Sequence, residues 1–208
     1  MTVIVDYGVG NLFSLASSFA YIGHEVKVSG DKEIIGAADR IILPGVGAFG
    51  DAAKKLRDTG LDAVLCKKAG EGTPIMGICL GMQMLFDESM EFGTHKGLSL
   101  VGGTVRPIGE VIPGELKIPH IGWNALHFKG KKHPIFQYIH EGDSVYFVHS
   151  YYGVCTDENT LIAETEYGAP LTAAVASGSV CGCQFHPEKS GSVGLSILRG
   201  FCEWDGKL

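Results

Sequence analysis

One stretch of the chain, residues 74–81, has the pattern of a buried strand that turns abruptly into a helix. Residues 74–78 form an apolar run long enough for a buried strand, and helical sequence follows from Leu80. Cys79 stands at the turn, and glycines two residues to either side leave room where a Cβ would clash with the strand or the helix. This layout is typical of a nucleophile elbow, in which a helix start would favour the reactive thiolate of Cys79. A buried structural cysteine is the alternative interpretation of the same residues.

Short apolar runs and stretches of helical periodicity alternate on both sides of this segment. We expect strands at residues 3–5, 25–28 and 40–43. Helices are expected at residues 12–22, 52–68, 134–139 and 192–204, and Gly60 should interrupt the second of them. This alternation predicts an α/β fold with an open, largely parallel sheet and helices on both faces. Short β-type runs occur between prolines and glycines at residues 104–106, 117–118 and 125–128, and residues 143–152 read as one further strand. These segments predict antiparallel strands added to the parallel core.

Length and composition exclude several classes of protein. The 208 residues fit a single domain, residues 1–208, with enough chain for a substantial core. With 17 basic against 23 acidic residues, a net charge of −6 and no dense basic run, nucleic acid and anionic membranes are poor partners. No apolar stretch reaches transmembrane length, and the N-terminus lacks the basic start of a signal peptide. Six cysteines without regular spacing indicate reduced thiols in a cytosol rather than a disulfide framework.

A glycine-rich loop at residues 44–50 follows the strand at 40–43 and leads into a helix. Such a loop can present backbone N–H groups to an anion, but it lacks the Gly-Lys-Ser/Thr ending of a nucleotide-binding P-loop. The loop and Cys79 both follow parallel strands, so both are expected at the carboxyl edge of the sheet, where ligands bind. The loop is therefore a candidate oxyanion hole for Cys79, and an ordinary strand-to-helix turn is the alternative.

A candidate base lies near the C-terminus, where His186 and Glu188 follow a predicted strand at residues 179–185. Glu188 could hydrogen-bond one imidazole nitrogen and leave the other to serve Cys79. The alternative interpretation is that His186 is an ordinary surface histidine with no catalytic role. Cys181, Cys183 and His186 could also bind a metal by residue type, but strand alternation places the two cysteines on the face opposite His186 and away from the site. We therefore expect no metal site.

Three of these motifs together resemble the class I glutamine amidotransferases, and they lie at residues 44–47, 77–83 and 184–188. Four further stretches, residues 6–11, 119–124, 146–152 and 186–190, are similar to the glutaminase subunits of imidazole glycerol phosphate synthase in histidine biosynthesis. The resemblance covers the chain from Val3 to the last helix. It implies a flavodoxin-like fold, hydrolysis of glutamine to glutamate and ammonia, and no cofactor.

The resemblance also implies a role for each matching residue. Cys79 would be the nucleophile, His186 the general base and acid, and Glu188 the residue that orients His186. Backbone N–H groups of Leu80 and of the loop at Val46 and Gly47 would hold the oxyanion. The glutamine would be bound by Gln83, His149, Ser150 and Tyr151.

A partner follows from the same resemblance, because the family passes its ammonia to a separate cyclase subunit that makes imidazole glycerol phosphate and AICAR. We expect a cytoplasmic heterodimer whose contact surface includes Asn11, His120, Trp123, Asn124, Tyr146 and Lys189. From the residues alone, Trp123 could equally be a core tryptophan. Alternative functions are a glutaminase subunit of another synthase, for pyridoxal phosphate or anthranilate, and a cysteine hydrolase or peptidase on the same scaffold.

Overall fold

The computed structural model describes residues 1–207, which form fourteen strands and six α-helices. In chain order the strands are β1 (Thr2–Val5), β2 (Val26–Ser29), β3 (Arg40–Gly45), β4 (Ile75–Cys79), β5 (Phe86–Ser89), β6 (His95–Lys96), β7 (Val101–Pro107), β8 (His120–Ala125), β9 (His127–Phe128), β10 (Ser144–His149), β11 (Tyr151–Cys155), β12 (Leu161–Glu166), β13 (Pro170–Ser177) and β14 (Val180–Cys183). The helices are α1 (Leu12–Tyr21), α2 (Lys32–Gly36), α3 (Phe49–Thr59), α4 (Leu61–Gly70), α5 (Leu80–Gln83) and α6 (Gly191–Glu203). Single 3-10 turns occur at Ile108–Glu110, Pro134–Phe136, Glu158–Thr160 and Pro187–Lys189.

An eight-stranded sheet in the order β2-β1-β3-β4-β14-β13-β12-β9 forms the centre of the molecule. Its first five strands are parallel, and the last three are added antiparallel to β14 and to one another. Strands β1, β4 and β14 are buried along their whole length, which explains why they read as nearly continuous apolar runs. The predicted α/β fold with a largely parallel sheet and added antiparallel strands is confirmed.

Helices cover both faces of this sheet, as expected. On one face, Leu15 and Phe19 of α1 pack with Leu198 and Phe201 of α6 in one apolar cluster. On the other face, α2 to α5 contribute to a second cluster that includes Phe49 of α3. The longest helix has 13 residues, and none of the helices within residues 1–207 could cross a membrane.

Two smaller sheets extend this core at the edge that carries the site. Strands β8 and β10 form a two-stranded antiparallel ribbon, called here the β8–β10 ribbon, and β11, β7, β5 and β6 form a four-stranded sheet. The single strand expected at residues 143–152 is wrong, because the chain bends at Ser150 and β10 and β11 pair in different sheets. Residues 117–118 are not a strand either, and the helix expected at residues 134–139 is only a 3-10 turn at Pro134–Phe136. Strands β5, β6, β12 and β13 and helix α2 have no counterpart in the predictions.

The helix expected after Cys79 is much shorter than its sequence suggested. It has four residues, and the chain leaves it to form β5 from Phe86. The apolar run over residues 82–86 fits a strand as well as a helix, so periodicity could not separate the two. The expected helix start beside Cys79 is present, but a four-residue helix aligns fewer peptide dipoles than a longer one.

Candidate active site

Cys79 is the last residue of β4, and its backbone has φ 54° and ψ −113°. A non-glycine residue with positive φ is strained, and such strain persists only where the surroundings hold it. Tight backbone packing keeps the turn in this conformation. A Cβ on Gly77 would lie 2.5 Å from the Gly81 carbonyl oxygen, and a Cβ on Gly81 would lie 1.8 Å from the Leu43 carbonyl oxygen. The sharp turn leaves Cys79 8% exposed at the carboxyl edge of the central sheet.

The glycine loop that follows β3 lies directly beside this turn. Gly45 is the register partner of Cys79, and a Cβ on Gly45 would come within 2.9 Å of both the Gly81 nitrogen and the Leu80 Cβ. Gly47 has φ +97°, a conformation that glycine adopts without strain. The structure thus brings Val46 and Gly47 to the same place as Leu80, where their N–H groups could converge on an anion.

His186 and Glu188 form a buried pair next to Cys79. The His186 Nδ1 and the Glu188 Oε1 are 2.8 Å apart, and both side chains are about 5% exposed or less. Burial favours the neutral imidazole, but the hydrogen bonds with Cys79 and Glu188 outweigh it and raise the pKa of His186 to about 10. A nucleophile, an adjacent base and a carboxylate that orients the base are the parts needed for acyl transfer.

The backbone around His186 is held by the β8–β10 ribbon. The His186 N–H donates to the carbonyl of Tyr146 at 3.0 Å. The Ser190 hydroxyl donates to the His186 carbonyl at 2.6 Å and accepts from the Tyr146 N–H at 3.0 Å. The position of the base therefore depends on the position of β10.

A cavity of about 560 Å³ opens over Cys79 and His186. It gathers every oxyanion and substrate residue predicted from the sequence: Val46, Gly47, Leu80, Gln83, His149, Ser150 and Tyr151. His149 presents a neutral imidazole there, because burial, with the neighbouring His120 and His186, lowers its pKa to about 4.

Two residues of this region were missed in the sequence. Glu91 lines the cavity and is the only acidic residue among its described lining residues. Gln184 is fully buried; it donates to the Cys79 sulfur at 3.7 Å and accepts from Gln83 at 2.9 Å. Gln184 had a usable signal, since it lies two residues before His186, whereas nothing marked Glu91 in its loop.

The predicted contact residues behave differently from one another. Asn11, Trp123 and Lys189 are exposed, with Trp123 56% exposed. Asn124 and Tyr146 are half-buried, and the Asn124 side chain donates to the Glu166 carbonyl. Placing His120 on the contact surface was wrong: its side chain is fully buried, bonded to His149 at 3.0 Å and to Asn124 at 2.9 Å.

The expected orientation of Cys183 also needs correction. Cys181 and Cys183 pack in the same apolar cluster as Cys79, and Cys79 and Glu188 add to the burial that raises the pKa of Cys183. The strand ends at Cys183, so the alternation used to place His186 on the opposite face stops before that residue.

Within residues 1–207 no three His, Cys, Asp or Glu side chains are grouped closely enough to hold a metal ion.

Comparison with known families agrees with this geometry. The model of the family described as "Glutamine amidotransferase class-I" matches residues 3–203. The chain belongs to this family. The match includes the elbow at Cys79, the glycine loop and the His186–Glu188 turn.

Curated relatives narrow the assignment within the class I glutamine amidotransferases. The imidazole glycerol phosphate synthase subunit HisH of Geobacillus kaustophilus (strain HTA426) is 49% identical over 97% of this chain and 95% of its own length. The subunit HisH of Aquifex aeolicus (strain VF5) is 45% identical over 96% of this chain and 95% of its own length. Identity at this level over nearly the full length places this amidotransferase in the HisH family.

Solved structures share the fold at much lower identity. One described as a crystal structure of glutamine amidotransferase has a TM-score of 0.75 at 20% identity, covering 97% of both chains. The structure of PurLQS from Thermotoga maritima has a TM-score of 0.74 at 21% identity, covering 97% of this chain and 96% of its own. At these identities the likeness shows a common fold.

Proposed function

We propose that this chain hydrolyses L-glutamine through a thioester on Cys79 and supplies the ammonia to a cyclase subunit that makes imidazole glycerol phosphate and AICAR. The observation that carries the proposal is the arrangement of Cys79 on a strained elbow, in one cavity with a buried His186 that is hydrogen-bonded to Glu188. The whole chain would act as one glutamine amidotransferase domain. Its six cysteines are free, which fits a cytoplasmic location.

The first half of the reaction forms the thioester. Sulfur of Cys79 attacks the side-chain amide carbon of glutamine while His186 holds the thiol proton. The oxyanion that develops is stabilised by the N–H of Leu80 and one N–H of the loop at Val46 and Gly47, each worth about 3 kcal/mol. His186 then donates its proton to the amide nitrogen as the carbon–nitrogen bond breaks, and ammonia leaves. The raised pKa of His186 suits this donor step at neutral pH.

The second half releases glutamate. Water attacks the thioester carbon, His186 accepts a proton from it, and the same N–H groups stabilise the second oxyanion. The proton returns to the sulfur as the carbon–sulfur bond breaks. Glu188 keeps the imidazole in one orientation through both halves, because its bond to Nδ1 leaves Nε2 free to exchange the proton with the sulfur.

Recognition of glutamine needs groups for its ammonium and its carboxylate. Glu91 can pair with the ammonium, as the only acidic residue among the described residues that line the cavity. Its carboxylate is held in place, since Oε2 accepts from the Phe49 N–H at 2.5 Å. Gln83 donates to the Tyr151 carbonyl at 3.1 Å and so fixes the strand segment that carries Ser150 and Tyr151. These contacts form the part of the cavity that we assign to the amino-acid end of the substrate.

The exposed side of the β8–β10 ribbon is the proposed docking surface for the cyclase. Trp123 pairs with Tyr146 in the ribbon, with ring centroids 6.1 Å apart, and the Lys189 ammonium lies 5.9 Å from the Tyr146 ring. The Tyr146 carbonyl in turn holds the His186 N–H. A partner that contacts Trp123 would therefore act on an element that positions the catalytic base, and an ammonia-producing site would be active mainly when docked.

Steady-state assays of glutamine hydrolysis test the proposal. The chain alone should turn over slowly, and the addition of the cyclase subunit with its ligand should raise the rate markedly. Peptide and ester substrates should not be cleaved. Absence of glutamine hydrolysis in the assembled pair would refute the activity, whereas equal rates with and without the cyclase would refute the coupling and favour a stand-alone glutaminase.

A further inference from the structure

Tyr7 lies next to the elbow, although nothing in the reaction above uses it. It follows β1, is 5% exposed, and its hydroxyl donates to the carbonyl of Pro44 at 2.8 Å. The pairing of β1 with β3 ends at Ile4 and Ile42, so Pro44 lies beyond the last paired residue on that side. The tyrosine hydroxyl thus provides a side-chain donor where the backbone pairing with β1 has stopped.

The Pro44 carbonyl belongs to the peptide from which the glycine loop begins. The next residue, Gly45, is enclosed on several sides: a Cβ there would lie 2.9 Å from the Tyr7 hydroxyl oxygen, the Gly81 nitrogen and the Leu80 Cβ alike. The hydroxyl, the start of the loop and the residues after the nucleophile are therefore in one packed junction.

We propose that Tyr7 is a positioning residue for the oxyanion hole: by holding the Pro44–Gly45 peptide, its hydroxyl fixes the start of the loop from which Val46 or Gly47 offers an N–H to the oxyanion in the assembled enzyme. This inference rests on the proposed glutaminase function. Tyr7 does not line the described cavity and acts only through the loop.

The physical reason lies in how the loop is anchored. Beyond Gly45 the loop has few contacts of its own to fix its peptide planes, because nothing lies within 4 Å of a Cβ on Gly47 and Val46 is 45% exposed. Stabilisation of an oxyanion depends on N–H groups held at hydrogen-bond distance before the charge forms. Burial, and then the nearby Cys79, raise the pKa of Tyr7, so its hydroxyl remains a donor over the whole working pH range.

Tyr7→Phe removes the hydroxyl and keeps the ring, so it deletes the anchor with little change in packing. Measured on the chain assembled with its cyclase subunit, kcat for glutamine hydrolysis should fall about tenfold or more, while KM changes less than about twofold. Tyr138→Phe is the control, because it also removes one tyrosine hydroxyl, which donates to the Glu203 carboxylate, and neither Tyr138 nor Glu203 lines the described cavity. It should leave both constants within about twofold of wild type.

A second measurement separates the loop from the nucleophile. Alkylation of Cys79 by iodoacetamide displaces iodide from a saturated carbon and forms no oxyanion, so it reports the sulfur and His186 alone. The alkylation rate of Tyr7→Phe should stay within about twofold of wild type, while its rate of glutamine hydrolysis falls. Thermal unfolding of both tyrosine variants shows that the comparison is made on folded protein.

The outcomes distinguish the inference from the function on which it rests. A wild-type complex that does not hydrolyse glutamine refutes the proposed function, whatever Tyr7 does. Wild-type hydrolysis with an unchanged kcat in Tyr7→Phe overturns the positioning role. Parallel losses of hydrolysis and alkylation would also overturn it, since they would place the effect of the hydroxyl on Cys79 rather than on the loop.

Discussion

Cys79 and His186 reach the same cavity from two regions of different construction. Cys79 ends a central strand of the sheet, and the glycines at 77 and 81 let backbone pack against backbone around it. His186 lies on a turn after β14, and its backbone is tied by hydrogen bonds to Tyr146 of the β8–β10 ribbon, whose Trp123 is 56% exposed. We call these the nucleophile region and the base region.

The difference shows where an external partner can act. In the nucleophile region a small displacement would meet close backbone contacts in the core, so its geometry is held whether or not a partner is present. The base region is connected through a two-stranded ribbon to exposed side chains, so it can respond to docking. This construction predicts a fixed nucleophile and a base whose position responds to docking.

The largest expected effect is loss of the nucleophile itself. Cys79→Ser should lower glutamine hydrolysis by about 10⁴-fold or more and leave the fold intact, because the substitution is small and the turn geometry is kept. An electrophilic glutamine analogue, followed by peptide mass mapping, should label Cys79 in the wild type. Labelling at Cys181 or Cys183 would show that the nucleophile had been assigned to the wrong thiol.

Within the base region, the two members of the pair should differ in effect. His186→Ala removes the proton acceptor and should lower kcat by about a thousandfold. Glu188→Gln keeps a hydrogen-bonding group of the same shape and should lower kcat by about a hundredfold or less. Equal losses in steady-state assays would give Glu188 a role beyond orientation, and an unchanged rate in Glu188→Gln would remove it from the site.

Rigidity of the nucleophile region predicts a large effect on stability. Gly81→Ala would place a Cβ 1.8 Å from the Leu43 carbonyl oxygen, so the free energy of unfolding should fall by about 3 kcal/mol or more. Gly70→Ala is the matched control: it meets nothing within 4 Å and should change stability by less than about 1 kcal/mol. Urea unfolding of the two variants gives the comparison; similar values would mean that the elbow tolerates movement.

The charge on His186 predicts a pH dependence of stability. Its pKa is raised in the folded chain, so its stabilising contribution is complete below the ordinary pKa of about 6.5 and disappears as the pH rises through about 10. The difference in unfolding free energy between wild type and His186→Gln should therefore shrink by on the order of 2 kcal/mol between pH 8.5 and pH 10.5. Both proteins contain Cys181 and Cys183, so alkaline ionisation of those thiols largely cancels. A difference that stays constant with pH would contradict a charged imidazole.

The smallest effect concerns the exposed end of the base region. Trp123→Ala should weaken activation by the cyclase about fivefold, or about 1 kcal/mol, with little change in the stability of the isolated chain. Tyr138→Ala provides the control, since Tyr138 is 41% exposed and its hydroxyl contacts Glu203 at the C-terminal end of α6, the end away from the His186 turn. Titration of the cyclase into glutaminase assays measures both variants. Equal activation by the cyclase in the two variants would show that the β8–β10 ribbon does not transmit the effect of the partner.

Parts of this site were predictable because their signals are local. The run before Cys79 is apolar because β4 is buried on both faces, and its flanking glycines are required by contacts a few residues away. His186 and Glu188 are two residues apart, so their hydrogen bond needs only a short turn. Alternating strands and helices likewise predicted the layered α/β architecture, since periodicity reports which faces of each element are buried.

Other parts depend on segments that are distant in the chain. The hydroxyl of Tyr7 bonds to Pro44, Gln184 reaches Cys79 across 105 positions, and His120 is covered by His149 and Tyr167. None of these contacts has a periodic signal, because each follows from strand order and register rather than from neighbouring residues. The sequence alone therefore specified the sheet and the two segments that carry Cys79 and His186. Only the tertiary structure decided how these residues are held and which side chains surround them.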